Sequence, residues 1–305
     1  MLDNLVFKRV KADNLDELIN LFKKVFKIRI TKKFYNWRYC NKSYTSFVAL
    51  YNKNIIAHIG FVKYNFNNCS NILYSRHSTF VIPKFQNKGV YYKLLNYSFS
   101  ILKTNASFVI AWPNQKNILA SKNHANFNIV GKYNLFYKNY RLNVKKNFFQ
   151  RIDIKFFQKL KIDQDNHLFF KDKKFIKWRY FDYKKNHYFY LNIKNLKNFI
   201  FEKNEHEKKN IYSIVDYYGR FSNYDSDLNK LIRYLSKNKI SFQLLLPNNY
   251  ILLDSLFNNE KVIKKRKFYV GLYFIGNKKR DKTKIEKKIK DVIKISDTDV
   301  FIKTY

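Results

Sequence analysis

Pro83, then Gln86-x-x-Gly89, then Val90, Leu94, Leu95 and Phe99 at helical spacing form the segment of this chain best suited to chemistry. The β-rich stretch 72–82 precedes it, so a strand ends at a proline and a short loop carries a glycine into a helix N-terminus. The first backbone N–H groups of a helix have no partner inside it, and the peptide dipoles add positive potential there. Such a turn takes an anion, and a pyrophosphate fits it. Gly89 permits close approach of a ligand to the backbone, while Lys84 and Lys88 add charge.

A proton acceptor is needed for most chemistry beside such a site. His77 is the first candidate, because it shares a strand face with Thr79 and Val81 and titrates near neutrality. A packing role suits it equally well. His58, on the preceding strand, is the second. Trp37-Arg38-Tyr39 can clamp a carboxylate or phosphate with the guanidinium while the rings stack on a sugar. The same triplet recurs at Trp178-Arg179-Tyr180, which favours a core role for both. No metal site is expected: Cys40 and Cys69 form no CxxC, and His206 between Glu205 and Glu207 has neighbours on different sides.

The elements that must position these residues occur twice. Ser107 to Asn114 reads again as Ser241 to Asn248, 134 residues on, and Phe34-Tyr35-Asn36-Trp37-Arg38-Tyr39 returns 141 residues on as Phe175-Ile176-Lys177-Trp178-Arg179-Tyr180. Two echoes in one order indicate a duplicated domain. In the first copy the pattern predicts a strand at 5–10 and a helix from Leu15 to Phe26 capped by Asn14. Strands at 47–51 and 55–62 follow, joined by a turn at 52–54. The long strand at 72–82, a helix at 89–102, a buried strand at 106–112, a polar helix at 116–126 and a last strand at 127–137 complete it. In the second copy strands are expected at 188–193, 199–203, 211–217, 240–246 and 267–274. Helices are expected at 227–236, capped by Asp225 or Ser226, and at 251–257.

The loop resembles the coenzyme A loop of the GNAT superfamily of N-acyltransferases, in which a strand leads through Gln/Arg-x-x-Gly-x-Gly/Ala into a helix. The element order and the Pro113-Asn114 turn before Phe127-Asn128-Ile129-Val130-Gly131 resemble that family too. The resemblance covers about residues 5–140 and, through the duplication, about 165–276. It implies an α/β (α+β) fold of two GNAT-like domains, each a mixed, mostly antiparallel sheet flanked by helices. It further implies that Thr79, Phe80, Val81, Gln86, Asn87, Lys88, Gly89, Val90, Tyr91 and Asn114 hold acetyl-CoA or another acyl-CoA. The pantetheine would pair with the strand 78–82, and backbone N–H near Val81 would face the thioester oxygen. Tyr91 departs from the family's second small residue. The family's acid on the last helix has no clean match; His124 or Ser121 lies nearest. Trp37 and Arg38 fall where the family binds its acceptor.

The expected organisation is a CoA-binding domain at 1–142, a connecting segment at 143–164, a degenerate domain at 165–277 and a basic helix or tail at 278–305. The second copy has no Gln/Arg-x-x-Gly, and Asp216 and Asp225 would repel a pyrophosphate, so it is expected not to bind CoA. The net charge of +39 over 305 residues raises nucleic acid as a partner. The charge is spread, however, and the enrichment in Lys, Asn, Ile, Phe and Tyr follows A/T-rich codons. No signal peptide or membrane span is visible, which suggests a cytoplasmic protein. The expected activity is acyl transfer, acetyl by default, to an amine of a small metabolite or amino sugar. The competing readings are a FemABX-like aminoacyl transferase fed by charged tRNA and a non-catalytic basic module that binds nucleic acid.

Overall fold

The computed structural model describes residues 4–27, 29–39, 44–65, 72–103, 107–113, 115, 117–124, 126–140, 148–160, 172–182, 187–193, 196–206, 209–247, 263–275 and 283. The chain divides into two compact units: 1–130 with 270–286, and 131–269 with 287–305.

In the first unit, β1 (Leu5–Arg9), β2 (Tyr44–Tyr51), β3 (Asn54–Asn65), β4 (Ile72–Val81) and β5 (Ser107–Ala111) lie side by side in that order. The pairs are antiparallel except β4 with β5, which is parallel. Asn52 and Lys53 both have positive φ, at 48° and 67°, so β2 and β3 are joined by a two-residue turn of the kind that matches strand twist. The helix α1 (Leu15–Phe26) has the bounds its apolar spacing predicts. Asn14 is its N-cap residue, as expected, but its side chain makes no capping hydrogen bond to the helix. A 3₁₀ turn over Ala12–Asn14 runs straight into α1, so the Asn14 side chain accepts a hydrogen bond from Lys11 N–H behind it.

The helix α2 (Lys32–Tyr39) carries the Trp-Arg-Tyr triplet, and α3 (Val90–Leu102) follows the loop. They cover opposite faces of the sheet. Val90, Leu94, Leu95 and Phe99 of α3 pack on Phe47, Ala57, Ile59, Phe61 and Val109, whereas Leu18 and Phe22 of α1 and Tyr35 and Tyr39 of α2 pack on Val48, Leu50, Ile55 and Phe80. The polar helix expected at 116–126 is a short turn, α-helical at 118–119 and π-helical over Ala120–His124.

The second unit repeats the plan with β6 (Asn128–Lys138), β7 (Phe149–Arg151), β8 (Tyr188–Leu191), β9 (Phe199–His206), β10 (Lys209–Tyr217) and β11 (Phe242–Pro247). Its sheet runs β6-β11-β10-β9-β8-β7, again with one parallel pair, β10 with β11. The helix α6 (Tyr224–Lys237) covers one face; α4 (Ile154–Lys159) and α5 (Lys173–Ile176) cover the other. The cap of α6 is Asn223, not Asp225 or Ser226, which lie in its first turn. The helix expected at 251–257 and the basic segment from 278 lie outside the described residues, apart from Thr283.

Each copy lends its last strand. From Gly131 on, β6 belongs to the second unit and pairs with β11. From Val270 on, β12 (Ile263–Phe274) belongs to the first unit, where Gly271–Phe274 pair with β5. The units are therefore discontinuous, whereas the sequence reading draws contiguous segments. Strand pairing across more than a hundred residues leaves no local trace. Inside the first unit, Tyr273 stacks on Phe99 at 4.6 Å between ring centroids and Phe274 lies 4.8 Å from Phe108.

Candidate functional site

The site grows from an irregularity in β4. Gly60 pairs with His77 and His58 pairs with Phe80, so β4 spends one residue more than β3 between these points. The extra residue is a bulge at Ser78, whose φ of 48° is left-handed. Such a conformation costs about 1–3 kcal/mol in a non-glycine residue and tends to persist where function needs it.

Parallel pairing of β4 with β5 stops at Ser75 and Ile110, and no pairing of the later β4 residues with β5 is present among the described residues. The end of β4 thus has an open edge. Ile82 N–H bonds Ile56 O at 2.9 Å, which makes 82 and 80 the positions hydrogen-bonded to β3. By the alternation of an antiparallel ladder, the N–H groups of Thr79 and Val81 point to the open side. Sequence periodicity shows neither the bulge nor the opening.

That edge leads into the N-terminus of α3. A 3₁₀ turn over Pro83–Phe85 and a turn at 86–89 connect them, and Gln86 Nε2 donates to Val81 O at 2.8 Å to fix the loop on the strand. Gly89 caps α3 with φ 73°, and a Cβ built there meets nothing within 4 Å. The glycine is thus required by conformation and keeps the space above it clear. Lys93 N–H is the first to bond back, to Gly89 O, so the N–H groups before it have no partner in the helix. The first turn of α3 contains no acidic residue.

A cleft of about 640 Å³ joins these parts. Thr79, Phe80, Val81, Gln86, Asn87, Gly89, Val90 and Tyr91, eight of the ten residues expected to hold the cofactor, line it. Lys88 is exposed, with Nζ 5.7 Å from the Phe85 ring centroid, and Asn114 lies outside the described residues. The cleft also takes in Arg76, Tyr92, Asn117 and Ser121, and at its apolar end Val25 and Phe26 of α1. No carboxylate or histidine is among the described residues that line it. Ser121 carries a hydroxyl to this wall from the turn where the family's acid was sought.

The structure does not bring the histidines there. His58 is fully buried among Phe22, Tyr35, Tyr39 and Phe80. Its Nδ1 bonds Ser78 O at 2.7 Å and its Nε2 faces Tyr35 Oη at 3.0 Å. Burial disfavours the imidazolium and lowers its pKa to about 4, with the Ser78 carbonyl opposing the shift. His58 therefore ties α2 to the bulge as a neutral ring. His77 Nδ1 lies 3.4 Å from Arg38 Nη2. A guanidinium can only donate, so this contact leaves the imidazole proton on Nε2. His124 ends the Ala120–His124 turn.

Trp37 and Arg38 are 8% and 1% exposed, inside the packing of α2 on the sheet. Tyr39 Oη bonds Ser78 Oγ at the bulge, and Gly60 makes room for the Tyr39 ring, since a Cβ there would lie 2.6 Å from it. The second unit uses its triplet alike: Tyr180 Oη donates to Asp216 Oδ2 at 2.5 Å, beside a bulge in β10 between Ile214 and Asp216. There the helix N-terminus is answered from within. Asp225 and Asp227 sit in the first turn of α6, and Tyr217 Oη donates to Asp227 Oδ2 at 2.8 Å.

No protein-family model matches this sequence, and no curated protein is similar to it. Solved structures are similar in fold. The N-myristoyltransferase of Saccharomyces cerevisiae with bound myristoyl-CoA superposes with a TM-score of 0.59 at 12% identity, over 90% of this chain and 84% of that one. A GCN5-related N-acetyltransferase from Anabaena variabilis gives 0.57 at 9% identity over 89% and 73%. Another from Sphaerobacter thermophilus gives 0.52 at 7% identity over 90% and 97%. The bulged, splayed β4, the loop into α3 and these superpositions over nine-tenths of its length give this chain the GNAT fold.

Proposed function

We propose that the first unit binds an acyl-CoA and transfers its acyl group to an amine of a small metabolite or amino sugar, with acetyl-CoA as the default donor. The observation that carries this reading is one continuous cleft in which the open edge of β4 runs into a helix N-terminus free of acids. The residues fit the ligand. The N-terminal N–H groups of α3 suit a pyrophosphate, and Gly89 leaves the space over them clear. Thr79 and Val81 offer N–H groups to an extended chain and to the oxygen of a thioester. Thr79 Oγ1 is buried with no hydrogen-bond partner among the described residues.

Bound at this cleft, an acyl-CoA supplies an activated thioester. An amine nitrogen forms the new C–N bond, the C–S bond breaks, and amide and free thiol are the products. With no base on the described wall, the amine's proton passes to water. The departing thiolate takes its proton from water. The second unit, with Asp225 and Asp227 in the first turn of α6 to repel a pyrophosphate, leaves CoA to the first.

The test is a calorimetric titration with acetyl-CoA beside Gly89→Glu. A carboxylate about 5 Å from a pyrophosphate charge costs roughly 1–3 kcal/mol at an effective dielectric of about 20–80, so binding should weaken about fivefold or more. Equal affinities in the two proteins would remove the loop from the site.

A further inference from the structure

Arg76 is a half-buried cation on the cleft wall with no carboxylate beside it among the described residues. Its Nη1 donates to the Tyr91 hydroxyl, and its guanidinium carbon lies 5.7 Å from the Tyr91 ring centroid and 4.9 Å from that of Phe127. These contacts aim the guanidinium without neutralising it. Withdrawing a charge from water is unfavourable unless an anion answers it. Every other described residue on the wall is neutral, so the anion must come from the ligand.

Its place along β4 says which part of the ligand. Arg76 follows Ser75, the last β4 residue paired with β5, and so stands at the vertex where the two strands part. Val81, at the pyrophosphate end of the open edge, is five residues away across the bulge, level with a β3 partner four residues from that of Arg76, roughly 13 Å at the usual rise. The role of Arg76 rests on the first unit being an acyl-CoA site. A donor anchored at α3 and laid along Val81 and Thr79 then has its acyl group, not its phosphates, nearest the vertex.

We propose that the acyl group carries a carboxylate of its own: the preferred donor is a short dicarboxylic acyl-CoA, of the succinyl type, and Arg76 sets that preference. A guanidinium has five N–H donors in a planar fork that matches a carboxylate. Tyr91 occupies one of them and leaves the rest for the ligand. The same arrangement gives a purpose to Tyr91, which stands where a small residue was expected: its ring reaches down to the arginine and its hydroxyl holds it. The transfer chemistry is unchanged, and the acyl carboxylate stays ionised throughout.

The experiment titrates the full chain separately with CoA, acetyl-CoA and succinyl-CoA, then repeats this with Arg76→Gln after checking that its thermal unfolding remains cooperative. The wild-type protein should bind succinyl-CoA about tenfold or more tighter than acetyl-CoA, the range expected for a charge-assisted pair. In Arg76→Gln that ratio should fall to about one, with acetyl-CoA affinity little changed. A wild-type ratio near one overturns the proposal without any variant. Equal weakening of all three ligands in Arg76→Gln overturns it too, by assigning Arg76 to the phosphates. If none of the three binds the wild-type protein, the acyl-CoA reading itself falls.

Discussion

His58 should make the first unit sensitive to mild acid. The ring is fully buried, and its pKa is lowered to about 4 from an unperturbed 6.5. Between these values the unfolded chain binds a proton that the folded protein refuses, so stability is whole above pH 6.5 and falls as pH drops towards 4. At pH 5.0 the unfolded histidine is almost fully protonated and the folded one almost not at all. The loss between pH 7.5 and 5.0 works out at about 2 kcal/mol from this group alone, out of about 3 kcal/mol for the whole shift. Urea unfolding at the two pH values measures the loss, and imidazole NMR titration of the folded protein assigns it. A His58→Gln variant should lose that slope. A His58 resonance that titrates near 6.5 in the native protein would refute the reasoning, because it would mean the ring is hydrated or paired with a charge.

Two further outcomes follow from packing. Gly60→Ala should destabilise the first unit by about 1–3 kcal/mol, since the new methyl meets the buried Tyr39 ring and must push its hydroxyl off Ser78; a lowered thermal midpoint checks this. A fragment ending at residue 142 should not unfold cooperatively in urea, because β5 loses its pairing with Gly271–Phe274 and Phe99 and Phe108 lose their stacking partners.

The bounds of α1, α3 and the β2–β3 turn were legible because local rules set them: apolar residues at helical spacing, a glycine that only a left-handed cap requires, and at Asn52 a residue that tolerates positive φ. The wall of the cleft was legible at Thr79, Val81, Gln86, Asn87 and Gly89–Tyr91 because these residues are close in sequence around that cap. Arg76, Val25 and Phe26 were not. They join the wall only through the bulge at Ser78 and the packing of α1 on Phe80, and a bulge has no residue signature in a strand of mixed polarity. The same bulge misdirects the reading of His77, since strand alternation would place it beside Thr79 and Val81, and one inserted residue turns it to Arg38 on the α2 face. The exchange of β6 and β12 was hidden for another reason: either copy's last strand satisfies the same local pattern, and only the assembled sheet distinguishes them.

The central claim is that the open edge of β4 and the first turn of α3 form a single ligand-binding surface. Amide hydrogen exchange, followed residue by residue with and without saturating CoA, tests it most directly. The account predicts fast exchange at Thr79, Val81, Val90 and Tyr91 in the free protein and strong protection of all four on binding, with the β2–β3 ladder unchanged. Saturable CoA binding that leaves Thr79 and Val81 exchanging as before would contradict it.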